Sequence, residues 1–214
     1  MGSPIARHVA PHLGGFCCRV ASGADISRAI EIRRKVYVEE FGFALGGRDG
    51  SDSFDNNAYH LLVTKATDGQ PVASLRLLDA PARPFEVESF VDIRAIVGPD
   101  RHLAEVSRLC VLLPYRRVSR QMFVHLSILE ASLRLARELG VTDLIGWARQ
   151  ELLGFYKYIL FEILDEYTFD HPKIGNRRHT LMRLDLTRLE ELYKERRPGL
   201  YQFVKSHSPT VDSS

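Results

Sequence analysis

The sequence predicts one α/β domain in which helices flank a central sheet of about seven strands. Three observations support this fold class. Strand-like and helix-like apolar patterns alternate along the 214 residues, a long amphipathic helix lies in the middle of the chain, and no internal repeat or Pro/Gly/Ser-rich linker divides it. Because some neighbouring strands have no helix between them, the alternation is not the regular one of a doubly wound nucleotide-binding fold, and that fold is not expected.

The N-terminal third combines a flexible lead, one strand, one helix and a long loop. Residues 1–15 contain two prolines, three glycines and few periodic apolar positions, which indicates a flexible segment. A strand follows at 16–21, and Asp25 is expected to cap a helix over 26–41. The loop at 42–57 is rich in Gly, Asp, Ser and Asn, and loops of this length often carry function.

The rest of the chain supplies the other strands and two helices. Apolar runs on either side of Asp68-Gly69 predict a hairpin, the segment 80–101 is irregular, and Pro114 ends the next strand. The clearest helix is expected over 120–139, where Gly140 ends a continuous apolar stripe. The remaining predicted elements are a strand at 141–148, a helix at 151–159, strands at 161–169 and 179–186, and a flexible tail at 206–214, which leaves 16–205 as the folded domain.

Composition excludes several classes of protein. The chain is 45% hydrophobic and 26% charged, with a net charge of +2, so neither disorder nor general nucleic-acid binding is expected. No apolar stretch is long enough to span a membrane, and no secretory signal precedes the domain, which favours a cytoplasmic protein. Three cysteines without a CxxC pair, and histidines without an HExxH motif, predict no metal site.

Some charged residues occur where the pattern calls for apolar ones. Arg33 lies near the centre of the apolar arc of the first helix, because successive residues advance about 100° around the axis. Arg76 interrupts the apolar strand of the hairpin. A buried guanidinium needs a carboxylate partner, since its burial alone costs several kcal/mol. Asp52 and Asp55 in the polar loop are candidate partners, and solvated loop charges are the alternative.

Glu105 and Arg108 interrupt the next apolar strand. Residues three apart point to opposite faces of a regular strand, so a β-bulge between them would be needed to bring both side chains to one site. Such a bulge would also leave a backbone N–H unpaired, and that N–H could polarise a substrate carbonyl. An isolated structural Glu–Arg pair is the alternative interpretation.

Taken together, these residues match a known pattern. The series resembles that of the acyl-homoserine-lactone autoinducer synthases and the bacterial N-acyl amino acid synthases, and it consists of Arg33, Tyr37, Phe43, Asp52, Asp55, Arg76, Glu105 and Arg108. Both families have the GNAT N-acyltransferase fold, so the resemblance implies a GNAT-like mixed sheet. It covers roughly residues 16–190.

The resemblance implies a reaction in which a primary amine attacks an acyl thioester. Glu105 would be the base that takes the amine proton, and a backbone N–H near 109–111 would hold the oxyanion. Tyr156, or alternatively Tyr158, would protonate the leaving thiolate. The three arginines and two aspartates of the series would form an ion-pair network over the acceptor, whose carboxylate an arginine could bind. Leu109, Val111, Leu126 and Trp147 are the candidates for an acyl tunnel.

Departures from the family pattern bear on the substrates. The synthases of homoserine lactones usually have Phe and Trp where this chain has Tyr37 and Phe43, which makes S-adenosylmethionine a less expected acceptor. The segment 116–121 lacks both glycines of the GNAT pyrophosphate loop, which favours acyl carrier protein over coenzyme A as donor. No tightly bound cofactor is expected, because the phosphopantetheine arm belongs to the donor. Arg116, Arg117 and Arg120 are candidates for docking the acidic carrier protein.

Three functions follow as hypotheses. The favoured one is an N-acyl amino acid synthase that uses long-chain acyl carrier protein. The second is an acyl-homoserine-lactone synthase that uses S-adenosylmethionine. The third is a non-catalytic acyl-binding protein, against which the intact Glu105/Arg108 pair argues.

Overall fold

A computed structural model describes residues 13–45, 47, 49–79, 84–116 and 118–207 of the chain. Within them, one sheet has seven strands in the order β1-β2-β3-β4-β5-β7-β6. The strands are β1 (Phe16–Val20), β2 (Ala58–Lys65), β3 (Pro71–Asp79), β4 (Leu103–Val111), β5 (Asp143–Arg149), β6 (Glu162–His171) and β7 (Arg177–Asp185). The predicted α/β fold with a mixed sheet is confirmed.

Helices connect these strands and cover both faces of the sheet. They are α1 (Ala24–Arg33), α2 (Ile93–Val97), α3 (Val118–Glu138), α4 (Leu153–Tyr158), α5 (Leu189–Arg196) and α6 (Pro198–His207). The first continues as a π-helical segment, Arg34–Glu40, so the predicted helix over 26–41 has two parts. Short 3₁₀ turns at Ser53–Asn57 and Glu86–Ser89 lie in the segments predicted to be irregular.

One pair of neighbouring strands in the middle of the sheet is parallel, and the other pairs are antiparallel. The strands β1 to β4 form an antiparallel meander, and β4 then pairs with β5 in parallel. A parallel pair needs a long crossover connection, which α3 supplies. Antiparallel β7 lies between β5 and β6.

The parallel pair β4–β5 is joined for only part of its length. Leu103–Val106 pair with Asp143–Gly146, and the pairing ends there although both strands continue, to Val111 and to Arg149. The two strands therefore diverge beyond Val106 and Gly146 and leave an opening in the sheet.

Alternation along β2 places a helix on each face of the sheet. Leu61 and Val63 belong to the main core with residues of α3, whereas Leu62 packs with Ala29 of α1 on the other side. This is the arrangement expected of a central strand whose successive side chains point to opposite faces. It leaves the diverging ends of β4 and β5 between the two helical layers.

The C-terminal helices depart from the predicted elements. The helices α5 and α6 follow β7, where no helix was predicted, and α6 extends to His207, inside the segment predicted as a tail. Residues 1–12 and 208–214 lie outside the described part of the chain. Among the described helices, none combines the length and the apolar character that crossing a membrane requires.

Candidate active site

The paired aspartates of the polar loop form a capping box at the start of the 3₁₀ turn Ser53–Asn57. Asp52 Oδ1 accepts a hydrogen bond from the Phe54 N–H at 3.0 Å, and Asp55 Oδ2 accepts one from the Asp52 N–H at 2.8 Å. Because the backbone holds both carboxylates, their orientation is fixed before any arginine is considered.

Three buried arginines converge on these carboxylates. Arg33 donates from Nη1 to both oxygens of Asp55 at 2.8 Å, and Arg76 donates from Nη1 to Asp52 Oδ1 at 2.5 Å. Arg108 reaches Asp52 Oδ2 from Nη2 at 3.0 Å. The exposed fractions of the three arginines are 2%, 0% and 3%, so the expected ion-pair network is a buried one.

Glu86, in the second 3₁₀ turn, is a further member of this network. Its Oε2 accepts from Arg76 Nη2 at 2.7 Å and its Oε1 from Arg108 Nη2 at 2.5 Å, while His171 Nε2 lies 3.1 Å from Oε1. Burial raises the pKa of this carboxyl, but the His171 hydrogen bond and the two arginines outweigh burial and lower it. Sequence reasoning missed Glu86, because it lies in an irregular segment with no periodic pattern around it.

A β-bulge places Arg108 on the same side as this network. Ser74 pairs with Cys110 and Arg76 pairs with Ser107, so Arg108 and Leu109 together oppose one residue of β3. The φ angle of Arg108 is +56°, a left-handed conformation that costs a non-glycine residue roughly 1 kcal/mol or more. The β-bulge lies at Arg108 and Leu109 instead of between Glu105 and Arg108, where it was predicted, and the ion pairs of the Arg108 guanidinium offset its strain.

Glu105 lies beside the network without an arginine of its own. Its Oε2 accepts from the Val87 N–H at 2.9 Å, and its Oε1 has no hydrogen-bond partner among the described residues. The three network arginines are balanced by Asp52, Asp55 and Glu86. Burial, reinforced by the charge of Glu86, raises the pKa of the fully buried Glu105 to about 7.

A cavity of about 320 Å³ fills the opening between β4 and β5. Its wall is mainly apolar, with polar groups near the bulge and near the ends of the strands. Residues of β4, α3, β5 and α4 form the wall, among them Val106, Leu109, Ile128, Leu129, Leu144 and Tyr156. The volume and the mainly apolar wall suit an apolar ligand group.

An acetyltransferase (GNAT) domain family matches residues 32–126, which include the capped loop, the bulge and the start of α3. This match covers less than half of the chain, and it supports the expected resemblance to GNAT-type acyltransferases.

Solved structures share the GNAT fold of this chain. An N-acyl amino acid synthase from uncultured soil microbes, FeeM, superposes with a TM-score of 0.61 at 14% identity, over 82% of this chain and 93% of FeeM. The coenzyme A-dependent acyl-homoserine lactone synthase BjaI, solved with S-adenosylmethionine and isopentyl-coenzyme A, gives 0.61 at 19% identity, over 80% and 82% of the two chains. At these identities the likeness shows the fold.

Relatives are also detected by sequence. The uncharacterized protein YyaT of Bacillus subtilis (strain 168) is 27% identical over 146 residues, which cover 68% of this chain and 81% of YyaT. Its name assigns no substrate.

Most of the residues proposed to contact substrate in this GNAT domain line the cavity. They are Tyr37, Phe43, Arg108, Leu109, Val111, Trp147 and Tyr156. Arg33, Asp52, Asp55, Arg76 and Glu105 lie behind the wall in the buried network, and Ser107 connects the two regions, because it lines the cavity and accepts from Arg76 Nε at 3.1 Å. Burial raises the pKa of Tyr156 to about 12, which keeps its hydroxyl protonated near neutral pH.

Two other candidates lie away from the cavity. Leu126 packs against the main core without lining the cavity, so the structure does not place it in an acyl tunnel. Tyr158 is 55% exposed and also lies outside the wall, so of the two candidate tyrosines only Tyr156 lines the cavity.

The candidate docking arginines have different surroundings. Arg116 donates to both oxygens of Glu40 and, from Nε, to the Val111 carbonyl at 2.6 Å, so its guanidinium forms part of the cavity wall and is not a free surface cation. Arg117 lies outside the described residues, and for Arg120 only the backbone, in α3, is described.

Proposed function

We propose that this chain is an N-acyltransferase that moves a long-chain fatty acyl group from acyl carrier protein to the amine of an amino acid. The observation that carries the proposal is the apolar cavity between the diverging strands, whose wall includes the strained bulge at Arg108. An acyl chain in the cavity would place its thioester beside backbone groups that have no partner on a neighbouring strand.

In the proposed reaction, the amine nitrogen attacks the thioester carbonyl carbon, a C–N bond forms and the C–S bond breaks. The amine proton goes to Glu105, and Tyr156 gives its proton to the thiolate sulfur. Because Glu105 lies behind the cavity wall, we propose that the proton reaches it through a water molecule beside Ser107. A carboxyl with a pKa near 7 is suited to accept that proton at neutral pH.

Hydrogen-bond donors near the bulge support the proposed oxyanion site. Beyond Val106 the β5-facing edge of β4 is not paired with β5, so we propose that a backbone N–H on that edge, near 109–111, faces the developing charge. Arg108 Nε and Nη1 also have no hydrogen-bond partner among the described residues, although its other nitrogen binds two carboxylates. We propose that these N–H groups bind the substrate carbonyl.

The choice of donor rests on the loop that precedes α3. This loop lacks the glycines with which a GNAT enzyme approaches a pyrophosphate closely, and a carrier protein presents one phosphate on its phosphopantetheine arm. We therefore propose acyl carrier protein as donor and the segment 116–121 as its contact. BjaI has the same fold and depends on coenzyme A, so acyl-coenzyme A is the donor to compare with acyl carrier protein.

The second candidate is an acyl-homoserine-lactone synthase. The structure of the acyl-homoserine lactone synthase BjaI with S-adenosylmethionine favours it, because that protein has the same fold and binds this molecule. We prefer an amino acid acceptor because the aromatic pair in the cavity wall is Tyr37 and Phe43, whose ring centroids are 5.8 Å apart, where the lactone synthases usually have Phe and Trp.

The test is product analysis with purified protein. Dodecanoyl-acyl carrier protein and dodecanoyl-coenzyme A are each incubated with the protein and either a mixture of amino acids or S-adenosylmethionine, and products are identified by mass spectrometry. We expect N-dodecanoyl amino acids, formed faster from the carrier-protein donor. Lactone products would show that S-adenosylmethionine, and not an amino acid, is the acceptor. The absence of acylated product with every combination would contradict an acyltransferase.

A further inference from the structure

Two residues at the end of the cavity were not predicted from the sequence. Arg149 is the last residue of β5, and His179 of β7 is its direct partner across the antiparallel pair. Directly opposed residues project to the same face of a sheet, and both line the cavity. The structure thus places a guanidinium and an imidazole side by side in the cavity wall.

The charge of Arg149 is not balanced by a neighbouring carboxylate. Among the described residues, none forms an ion pair with it, and its contact is with the ring of Phe41, 6.0 Å from the guanidinium carbon. The other guanidinium at this end of the cavity, that of Arg116, binds Glu40. Arg149 therefore offers the cavity a positive charge that remains available to a bound anion.

His179 has a fixed tautomer. Its Nδ1 lies 2.6 Å from the Arg177 carbonyl oxygen, and because that oxygen can only accept, Nδ1 carries the hydrogen. Burial and the nearby charges of His171 and Arg149 lower its pKa to about 4, so the ring is neutral. Nε2 is then a hydrogen-bond acceptor, and it has no hydrogen bond with any described residue.

The buried network arginines are less suited to bind a second anion. Arg33 and Arg76 are occupied by carboxylates and lie behind the cavity wall. Arg108 lines the wall, but Asp52 and Glu86 already neutralise its charge, so its remaining N–H groups suit a neutral carbonyl oxygen. Arg149 is the better site for a carboxylate.

We propose that Arg149 and His179 bind the acceptor: Arg149 binds its carboxylate, and His179 Nε2 accepts a hydrogen bond from its amine. This inference rests on the proposed function and specifies the acceptor as an amine that carries a carboxylate. A planar guanidinium can bind a carboxylate through two parallel hydrogen bonds.

The position of Arg149 along its strand favours the acceptor over the donor's phosphate. Arg149 lies three residues beyond Gly146, about 10 Å along the strand, and the bulge lies two to three residues beyond Val106 on the other side of the opening. Arg149 is therefore level with the proposed reacting carbonyl. The phosphate of a pantetheine arm lies at the end of the arm away from the thioester, whereas the carboxylate of an α-amino acid is two bonds from the amine that attacks the thioester.

The first experiment measures binding without any reaction. Trp147 is the single tryptophan of the chain and lines the cavity, so its fluorescence reports occupancy. N-dodecanoylglycine is compared with N-ethyldodecanamide, which has the same length but no carboxylate, both below their critical micelle concentrations. We expect the wild type to bind the carboxylate probe about tenfold more tightly, as for a hydrogen bond to a charged group, and Arg149→Gln to lose this preference.

Matched variants control for structural effects. Arg178→Gln removes a neighbouring arginine whose side chain is 73% exposed, and it is expected to keep the tenfold preference. Arg149→Lys retains the charge and is expected to restore part of the preference. His179→Phe, which keeps a ring but loses the acceptor, is expected to raise the KM of the amino acid acceptor. Melting temperatures show whether each variant is folded.

The outcomes separate this inference from the proposed function. Equal affinities for the two probes in the wild type and in Arg149→Gln, or a rise of the donor's KM with no change in the acceptor's KM, would overturn the role of Arg149 and leave an acyltransferase. If neither probe changes the Trp147 fluorescence of the wild type, the cavity does not bind acyl chains, and both proposals fail.

Discussion

At the scale of single residues, the cost of burying charge explains the roles assigned to the network. Glu105 is completely buried, and the neighbouring arginines are already balanced by other carboxylates, so ionisation leaves a charge with little compensation. This raises its pKa to about 7, from an ordinary value of 4.5. The same surroundings that make ionisation of Glu105 unfavourable suit it to the proposed role of base near neutral pH.

Replacing Glu105 by Gln should therefore lower kcat by at least about 100-fold, the contribution typical of a general base. In the wild type, kcat/KM should rise with pH and level off above an apparent pKa near 7, because the carboxyl must lose its proton before it can accept one. The rising limb should be absent from the residual activity of Glu105→Gln.

A variant of an exposed residue provides the control. Glu166→Gln alters a solvent-exposed carboxyl on β6, so its rate and pH profile should match those of the wild type. A Glu105→Gln enzyme with a normal rate, or with an unchanged rising limb, would contradict the assignment of Glu105 as the base.

The sequence predicted some network residues and not others. Arg33 and Arg76 were recognisable because each interrupts a periodic apolar pattern. Glu86 and His171 interrupt no such pattern, and only the fold brings Glu86 to Arg108 and His171 to Glu86. A charged residue can thus be predicted to be buried from its own neighbours in the chain, but its partner across the fold cannot.

At the scale of secondary structure, Gly146 is placed where β4 and β5 separate. It pairs with Val106 at the end of the parallel ladder. A Cβ at this position would lie 3.2 Å from the Val106 carbonyl oxygen and 2.9 Å from Met182 Cε. The close approach of the strands at the branch point therefore favours a residue without a side chain.

We expect Gly146→Ala to destabilise the fold by about 1–3 kcal/mol, the usual cost of overpacking a tight site. Because the added methyl group presses on the strand that carries the bulge, activity should fall as well. Urea unfolding and steady-state rates measure the two effects. Gly154→Ala, in α4, is the control, because a Cβ there meets no atom within 4 Å. Equal stabilities of the two variants would contradict this account of the branch.

Elements with strong periodicity were predicted well, and those shaped by packing were not. The apolar stripe of α3 gave its position to within two residues at either end. The helices α5 and α6 were missed, because a short charged helix such as Leu189–Arg196 exposes most of its residues and is held by a few, among them Tyr193. The π-helical continuation of α1 also has no sequence pattern of its own.

At the scale of the whole molecule, buried titratable groups make stability depend on pH in opposite directions. The folded-state pKa of Glu105 is raised, so its contribution to stability is lost as the pH rises from 4.5 to about 7. The folded-state pKa of His179 is lowered from 6.5 to about 4, so its contribution is lost as the pH falls through that range. His60, with a pKa also lowered by burial, acts in the same direction as His179.

Two variants separate these contributions. Relative to the wild type, Glu105→Gln should become more stable as the pH rises from 4.5 to 7, and His179→Gln should become more stable as the pH falls from 6.5 to 4. Urea unfolding at four or five pH values across the range measures the free-energy differences. Three parallel curves would show that neither group is perturbed by burial.

The cavity is a property of the whole molecule that the sequence could only suggest. The resemblance to the synthases pointed to Leu109, Val111 and Trp147, but Arg149 and His179 lie on strands far apart in sequence from the motif residues. Which side chains meet in the cavity depends on the order in which β7 is inserted into the sheet, and local patterns do not carry that information.

The opening between β4 and β5 has a consequence for how the substrate preference of such a protein can change through mutation. It is produced by the ladder of backbone hydrogen bonds, which stops at Gly146, and the side chains around it only line a space that already exists. Lining residues can therefore be exchanged one at a time while the cleft persists. A library that varies these positions and leaves the branch and its glycine untouched should yield folded proteins with new acyl and amine preferences.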